Sequence, residues 1–338
     1  VTNANRAFLG PRSEINPWTG AWAYDTSVLH AELPEIESIL DRRIRLRDAD
    51  LRASALTGGP RFFLEGYYVA ADDTNVWNSA AWKPVSISGA PDLGIEWSLS
   101  VSEEGVAPSL GFAIDAWPGA MQTVIAEQVP VEEFVSPDGR AIIAAKAREI
   151  GSGVWRYEYA ILNVDLDRQI DGWRVPLPPG AAVGTVGFHA PVHDGEVSNG
   201  PGGAALSNDA WTWSVAGGEI AWSTDDNPLR WGTLYNFWFE ADVPPGDVLA
   251  AASLHRAAPG RVDVLQALTR GPVVPMPACP GDADGDGLVT LADLNEVLDA
   301  WGQPVTPPGT GPDVQPDGAV DFADLDVVLD AWGSDCRP

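Results

Sequence analysis

"VWRYEYAILNV" (Val154–Val164) decides how the larger part of this chain folds. Trp155, Tyr157 and Tyr159 alternate with Arg156 and Glu158, and a period of two places the rings on one face of a strand and the charges on the other. Aromatic side chains suit such a half-buried pleated surface. Immediately before it, Gly151-Ser152-Gly153 is turn-forming, and "RAIIAAKAREI" (Arg140–Ile150) precedes that as a second strand.

The same reading extends outward. "RFFLEGYYVA" (Arg61–Ala70), "GIEWSLSVS" (Gly94–Ser102), "GWRVPLP" (Gly172–Pro178), "GEIAWS" (Gly218–Ser223), "LYNFWFEADV" (Leu234–Val243), "DVLAAASLH" (Asp247–His255) and "RVDVLQAL" (Arg261–Leu268) are short strand patterns. Gly, Pro, Asn and Asp separate them, as in Pro178-Pro179-Gly180. Close spacing without long helical periods predicts a mainly β chain whose residues 61–270 form an antiparallel β-sandwich. Residues 1–60 are expected to pack on it as an extension, with "LPEIESILDRRIRLRDADL" (Leu33–Leu51) read as a short helix passing into a strand. "GPVVPMPACPG" (Gly271–Gly281) carries four prolines and reads as an extended linker.

Bulk properties narrow the partners. A net charge of -28 over 338 residues disfavours nucleic acid and anionic lipid surfaces. Cations are the natural counterparts. No apolar run is long enough to span a membrane, and a start at Val1 instead of methionine suggests a processed product or a fragment.

The tail, 282–338, repeats itself. "GDADGDGLVTLADLNEVLDAWG" (Gly281–Gly302) returns as "PDVQPDGAVDFADLDVVLDAWG" (Pro312–Gly333). The first loop has Asp282, Asp284 and Asp286 at positions one, three and five, Gly287 at six, Leu288 at seven, Thr290 at nine and Asp293 at twelve. Alternating hard oxygen donors converge on a calcium ion, the glycine permits the sharp turn, and position seven lends its carbonyl. The second loop offers Asp313, Gln315, Asp317, Ala319, Asp321 and Asp324 around Gly318, and Gln315 removes one charge, so weaker binding is expected there. Two calcium ions are the predicted cofactors. Each loop feeds a helix with Leu294, Val297, Leu298 and Trp301, or Leu325, Val328, Leu329 and Trp332, on one face. Gly302 and Gly333 are natural C-terminal caps.

This duplicated loop and helix, with Asp at position twelve and Val289 or Val320 at position eight, resembles a dockerin, a small helical module with EF-hand-type loops. The resemblance implies a cohesin-like β-domain as partner, contacted through positions ten and eleven: Leu291 and Ala292, Phe322 and Ala323. Cellulosomal dockerins commonly carry small hydroxyl residues there, and these positions depart from that pattern. The loop-helix pair brings its ends together, which predicts a Cys279–Cys336 disulfide worth about 4 kcal/mol. Calcium and a disulfide both predict an extracellular, secreted protein. From Asp282 onward the tail holds thirteen carboxylates and one arginine, so its folding is expected to need the ion.

"FLGPRSEINPWTG" (Phe8–Gly20), "RFFLEGYYVAADD" (Arg61–Asp73), "WRYEYAILNVDLDRQIDGWRVPLPPGAAVGTVGFH" (Trp155–His189) and "LRWGTLYNFWFEADV" (Leu229–Val243) resemble an uncharacterised family of secreted planctomycete-type proteins. That resemblance implies an environment and a sandwich, and no activity.

Other clusters carry less. His189, His193, Asp194 and Glu196 hold zinc-ligand types, but Pro and Gly among them argue against a shared helix face. Asp72 and Asp73 could serve an ion or a sugar, and a polar strand exit explains them equally well. Trp211 and Trp213, two apart, suggest a sugar-stacking platform, although Phe237 and Phe239 with Trp238 opposite are what a sandwich core requires. Glu65, Asp115, Glu158 and Glu240 single out no catalytic pair, and no nucleophile or phosphate-loop motif is present. The sequence therefore favours a non-catalytic assembly protein whose tail docks onto a β-domain, of another copy or of a scaffold. Its rival is a dockerin-bearing glycan-binding or polysaccharide-degrading component.

Overall fold

The computed structural model describes residues 14–27, 48–52, 61–70, 76–101, 107–126, 139–192, 207–273, 279–305 and 309–337. The chain divides into two compact units, Val1–Val273 and Val274–Pro338.

The first unit is built on antiparallel strands. They are β1 (Phe62–Gly66), β2 (Ala81–Ala90), β3 (Ile95–Val101), β4 (Ser109–Leu110), β5 (Met121–Ala126), β6 (Arg140–Gly151) and β7 (Val154–Asn163). After them come β8 (Ile170–Pro176), β9 (Val183–His189), β10 (Thr212–Ala216), β11 (Glu219–Ser223), β12 (Thr233–Ala241), β13 (Pro245–Leu254) and β14 (Val264–Pro272). Two five-stranded sheets run β5-β6-β7-β12-β9 and β10-β11-β8-β13-β14, and a four-stranded sheet runs β1-β2-β3 with β4 also on β2.

Alternation along the opening stretch works as the period of two requires. Tyr157, Tyr159 and Ile161 of β7 and Tyr235, Phe237 and Phe239 of β12 meet Trp173, Val175, Ile220 and Trp222 of the facing sheet in one core. Tyr159 lies 5.6 Å from Trp173 and Trp222 lies 5.6 Å from Phe237, both edge to face. Burying each such ring contributes about 1.5–3 kcal/mol. Their polar ends are met as well: the Tyr157 and Tyr159 hydroxyls donate to the carbonyls of Val243 (2.6 Å) and Arg270 (2.7 Å). Burial pushes both phenols well above the ordinary tyrosine range.

Further along the same strands alternation stops. Ile142, Ala144, Ala160 and Leu162 point to the opposite face and pack under Phe112 and Ile114 in a second core. Covered on both faces, β6 and β7 carry the unbroken apolar runs "AIIAA" and "AIL" there. The β6–β7 hairpin closes through Ser152 at φ 55° between two glycines of positive φ, Gly151 and Gly153.

Several expectations are corrected. The sandwich is joined by a separate four-stranded sheet, so residues 61–270 form three sheets. β2, β4, β5 and β9 match none of the strand patterns read from sequence. Pro84 lies inside β2, where it stands opposite Phe63 of β1. β14 continues to Pro272, two residues into the stretch read as linker, because Gly271 and Pro272 pair with Gly246 and Pro245. Asp48–Leu51 is a helical turn where a strand was expected, and the helix predicted after Pro34 lies outside the described residues. The described parts of 1–60 touch the unit through Trp18, whose ring lies 5.0 Å from the Arg140 guanidinium, and through Asp48, which accepts from Trp97 Nε1 at 2.7 Å.

In the second unit, helices α1 (Leu291–Asp299) and α2 (Phe322–Asp330) pack around Ala283, Val289, Val297, Val320 and Val328. The copies interlock: Gly302 N–H donates to Val320 O (2.8 Å), and Gly333 N–H donates to Val289 O (2.9 Å). Cys279 and Cys336 form a disulfide. Among the described residues no helix is long and apolar enough to cross a membrane.

Candidate metal centre

Carboxylate oxygens of Asp282, Asp284 and Asp293 lie within 4.8 Å of one another. Among the described residues this is the one grouping of three or more His, Cys, Asp or Glu side chains able to share an ion. The loop is shaped by its own side chains. Asp282 accepts the N–H groups of Gly285 and Gly287 at 2.9 Å each, and Asp284 accepts that of Asp286 at 3.0 Å. Asp286 accepts the Leu288 N–H at 2.8 Å and stands apart from the three-carboxylate cluster.

Asp293 closes the loop. Oδ1 accepts from Ala283 (2.8 Å) and Asp284 (3.1 Å), and Oδ2 accepts from Thr290 (2.8 Å). Thr290 in turn caps α1 and accepts the Ala292 N–H, so position twelve completes a capping box. Burial works to raise the Asp293 carboxyl, but the N–H groups of Thr290, Asp284 and Ala283 outweigh it and hold it below the ordinary carboxylate value. Asp284 goes the other way. The Asp286 N–H works to lower it, while desolvation and the charges of Asp293, Asp286 and Asp282 hold it above the ordinary value.

The second loop copies this arrangement. Asp313 accepts from Gly309 (2.8 Å), Gly318 (3.0 Å) and Asp317 (3.3 Å), and Asp324 accepts from Gln315 (2.8 Å) and Asp321 (2.9 Å). Asp317 accepts from Ala319, and Asp321 caps α2 by accepting from Ala323. Gln315 stands where the first loop has Asp284, and the second loop gathers no triple carboxylate cluster.

Asp293, Asp313 and Asp324 are fully buried. The only basic residue of the tail, Arg337, pairs with Asp335 at 2.8 Å. Buried carboxylates without a cationic partner are costly. Hard carboxylate oxygens are the donor type a hard dication takes, and Asp282, Asp284 and Asp293 lie close enough together to share one.

The residues at positions ten and eleven face outward: Leu291 is 59% exposed and Phe322 72%, beside Ala292 and Ala323 on the first turns. The predicted single apolar helix face is divided. Val297 and Val328 are fully buried and Leu294 and Leu325 pack against the same core, whereas Leu298, Trp301, Leu329 and Trp332 stand half exposed. Trp301 meets Phe322 of the other copy edge to face at 4.9 Å. Helical period alone could not show this division, because the core takes only the side of the stripe centred on Val297 and Val328.

Elsewhere the other candidate residues fall at separate places. Trp211 is buried and donates Nε1–H to Asn227 O (2.8 Å), while Trp213 is 52% exposed, so the two do not form one platform. Arg156 holds Glu158 (2.8 Å) and Glu240 (3.4 Å). Glu65 accepts the Ala113 N–H (2.6 Å) at the start of a short 3-10 turn containing Asp115. His189 is exposed at the end of β9, and His193, Asp194, Glu196, Asp72 and Asp73 lie outside the described residues.

No family model matches this chain, and no curated protein is matched either.

Proposed function

We propose that this chain is a secreted, non-catalytic assembly protein whose tail binds two calcium ions, more tightly at the first loop, and docks onto the β-domain of a second copy. The observation that carries the docking reading is the set of large apolar side chains left out of the tail's own core: Leu291, Leu298, Trp301, Phe322, Leu329 and Trp332 are each 39% exposed or more. Single exposed apolar residues are ordinary, but four on two short helices and two more in the turns that follow them are typical of a recognition surface. The first unit offers apolar side chains in its turn: Ile95, Leu99 and Val101, alternate residues of edge strand β3, are each at least 45% exposed.

Calcium shapes that surface, because α1 and α2 both begin inside the loops through Thr290–Asp293 and Asp321–Asp324. Tail-to-body contact between identical chains is heterologous and propagates into filaments or rings. Light scattering and electron microscopy of the purified chain test this: large, chelator-reversible assemblies in millimolar calcium are expected. A monomer at high concentration in calcium refutes self-docking. The glycan-binding reading has less behind it, since Trp213 alone is exposed among those tryptophans of the first unit whose side chains are described.

A further inference from the structure

The two halves of the tail are joined by equivalent bonds. Val305 N–H donates to Gly318 O at 3.0 Å in the second half, and Cys336 N–H donates to Gly287 O at 2.8 Å in the first. Asp313 N–H donates to Thr310 O (3.4 Å), and Asp282 N–H to Cys279 O (3.1 Å). The Pro304–Ala319 bridge has its counterpart in Asp335–Leu288. The repeat therefore equates Cys336 with Val305 and Cys279 with Thr310.

In the second half Val305 and Thr310 are linked by a few residues of continuous chain, which holds the two flanks of that loop together. In the first half the corresponding flanks are separated by 57 positions, and the Cys279–Cys336 disulfide joins them. The disulfide stands where the inter-repeat linker stands in the other half. Each loop thus sits in a covalently closed junction, one closed by peptide and one by sulfur.

From this equivalence we propose that the first cation loop, with Asp282, Asp284 and Asp293, is under redox control and that the second is not. The proposal rests on the calcium reading given above. Reduction adds two electrons and two protons at the sulfurs and yields two thiols; a dithiol supplies them and leaves as its own cyclic disulfide. The backbone flanks of the first loop are then tied only through non-covalent contacts, and the ion must supply the ordering that the covalent closure had supplied. The second loop keeps its peptide closure under the same conditions. In a reducing compartment the first site therefore stays weak, and it tightens once the chain reaches an oxidising one.

Calcium titration calorimetry on the full-length chain, with and without a dithiol, tests this in two variants. Asp313→Ala leaves the first loop to report, and Asp282→Ala leaves the second. Reduction is expected to weaken calcium binding roughly tenfold or more in Asp313→Ala, on the loop-closure argument, and less than about twofold in Asp282→Ala. Equal weakening in both, or none in Asp313→Ala, overturns the proposal. Oxidised unsubstituted chain that takes up no calcium overturns the calcium reading itself, and this proposal with it. Amide hydrogen exchange in Cys279→Ser/Cys336→Ser supplies a readout that survives partial unfolding. Protection lost at Gly287 ahead of Gly318 supports loop-specific control, and simultaneous loss refutes it.

Discussion

Replacing Asp293 with alanine removes the acceptor for three backbone N–H groups, those of Ala283, Asp284 and Thr290, at 2.8, 3.1 and 2.8 Å. Asp293 is fully buried, so water replaces those bonds poorly. A hydrogen bond to a charged acceptor is worth about 1.5–3 kcal/mol, and three that share one carboxylate are not additive, which places the loss at roughly 3–5 kcal/mol. A domain of this size has on the order of 3–9 kcal/mol in total. Asp293→Ala is therefore expected to leave the tail largely unfolded in chelator, while Asp324→Ala, which removes the bonds from Gln315 and Asp321, costs about 2–4 kcal/mol. The assay is hydrogen exchange across 279–337 in the full chain under chelating conditions, where the first unit serves as internal reference. A loss below about 1 kcal/mol for Asp293→Ala would show that the carboxylate is not what organises the loop.

Three further outcomes are expected. Burial, less the Ala113 N–H bond and with the charge of Asp115 added, holds the Glu65 carboxyl above its ordinary value. The native state thus binds this proton more tightly than the unfolded chain, and the associated stability is present below the unfolded value and lost as pH rises through the folded one. Glu65→Gln, which keeps an oxygen for Ala113, should then equal or exceed the unsubstituted chain at neutral pH and lose that advantage below about pH 4, as urea melts at several pH values would reveal. Gly187→Ala should destabilise the first unit by about 1–3 kcal/mol, because a Cβ there falls 2.1 Å from the Trp238 ring; an unchanged melting temperature contradicts that packing. Leu291→Ser/Phe322→Ser should keep helicity and calcium uptake yet abolish calcium-dependent assembly by light scattering, and persistent assemblies would move the docking surface elsewhere.

What was legible in the sequence follows from what is local. Tyr157 and Tyr159 announced a core face because strand geometry alone sends alternate residues to one side. The loop register was legible for a similar reason: the capping and turn bonds of Asp282, Asp286 and Asp293 all close within a dozen residues. Gly271 and Pro272 misled because a proline-rich stretch reads as linker, whereas their partners Gly246 and Pro245 meet them at the open end of the β13–β14 hairpin.

The sequence by itself thus determined a mainly β body, a duplicated acidic loop-and-helix tail, and the spacing of the oxygen donors, since each depends on residues near one another along the chain. Only the tertiary structure decided that β6 and β7 are buried on both faces, that Trp211 goes inside while Trp213 stays half out, and that Trp301 and Trp332 lie outside the tail's core. It also decided that the Cys279–Cys336 bond takes the place of a linker. Each of these depends on what a second, distant segment covers or joins, and a pattern of apolar spacing carries no record of which segment arrives to do so.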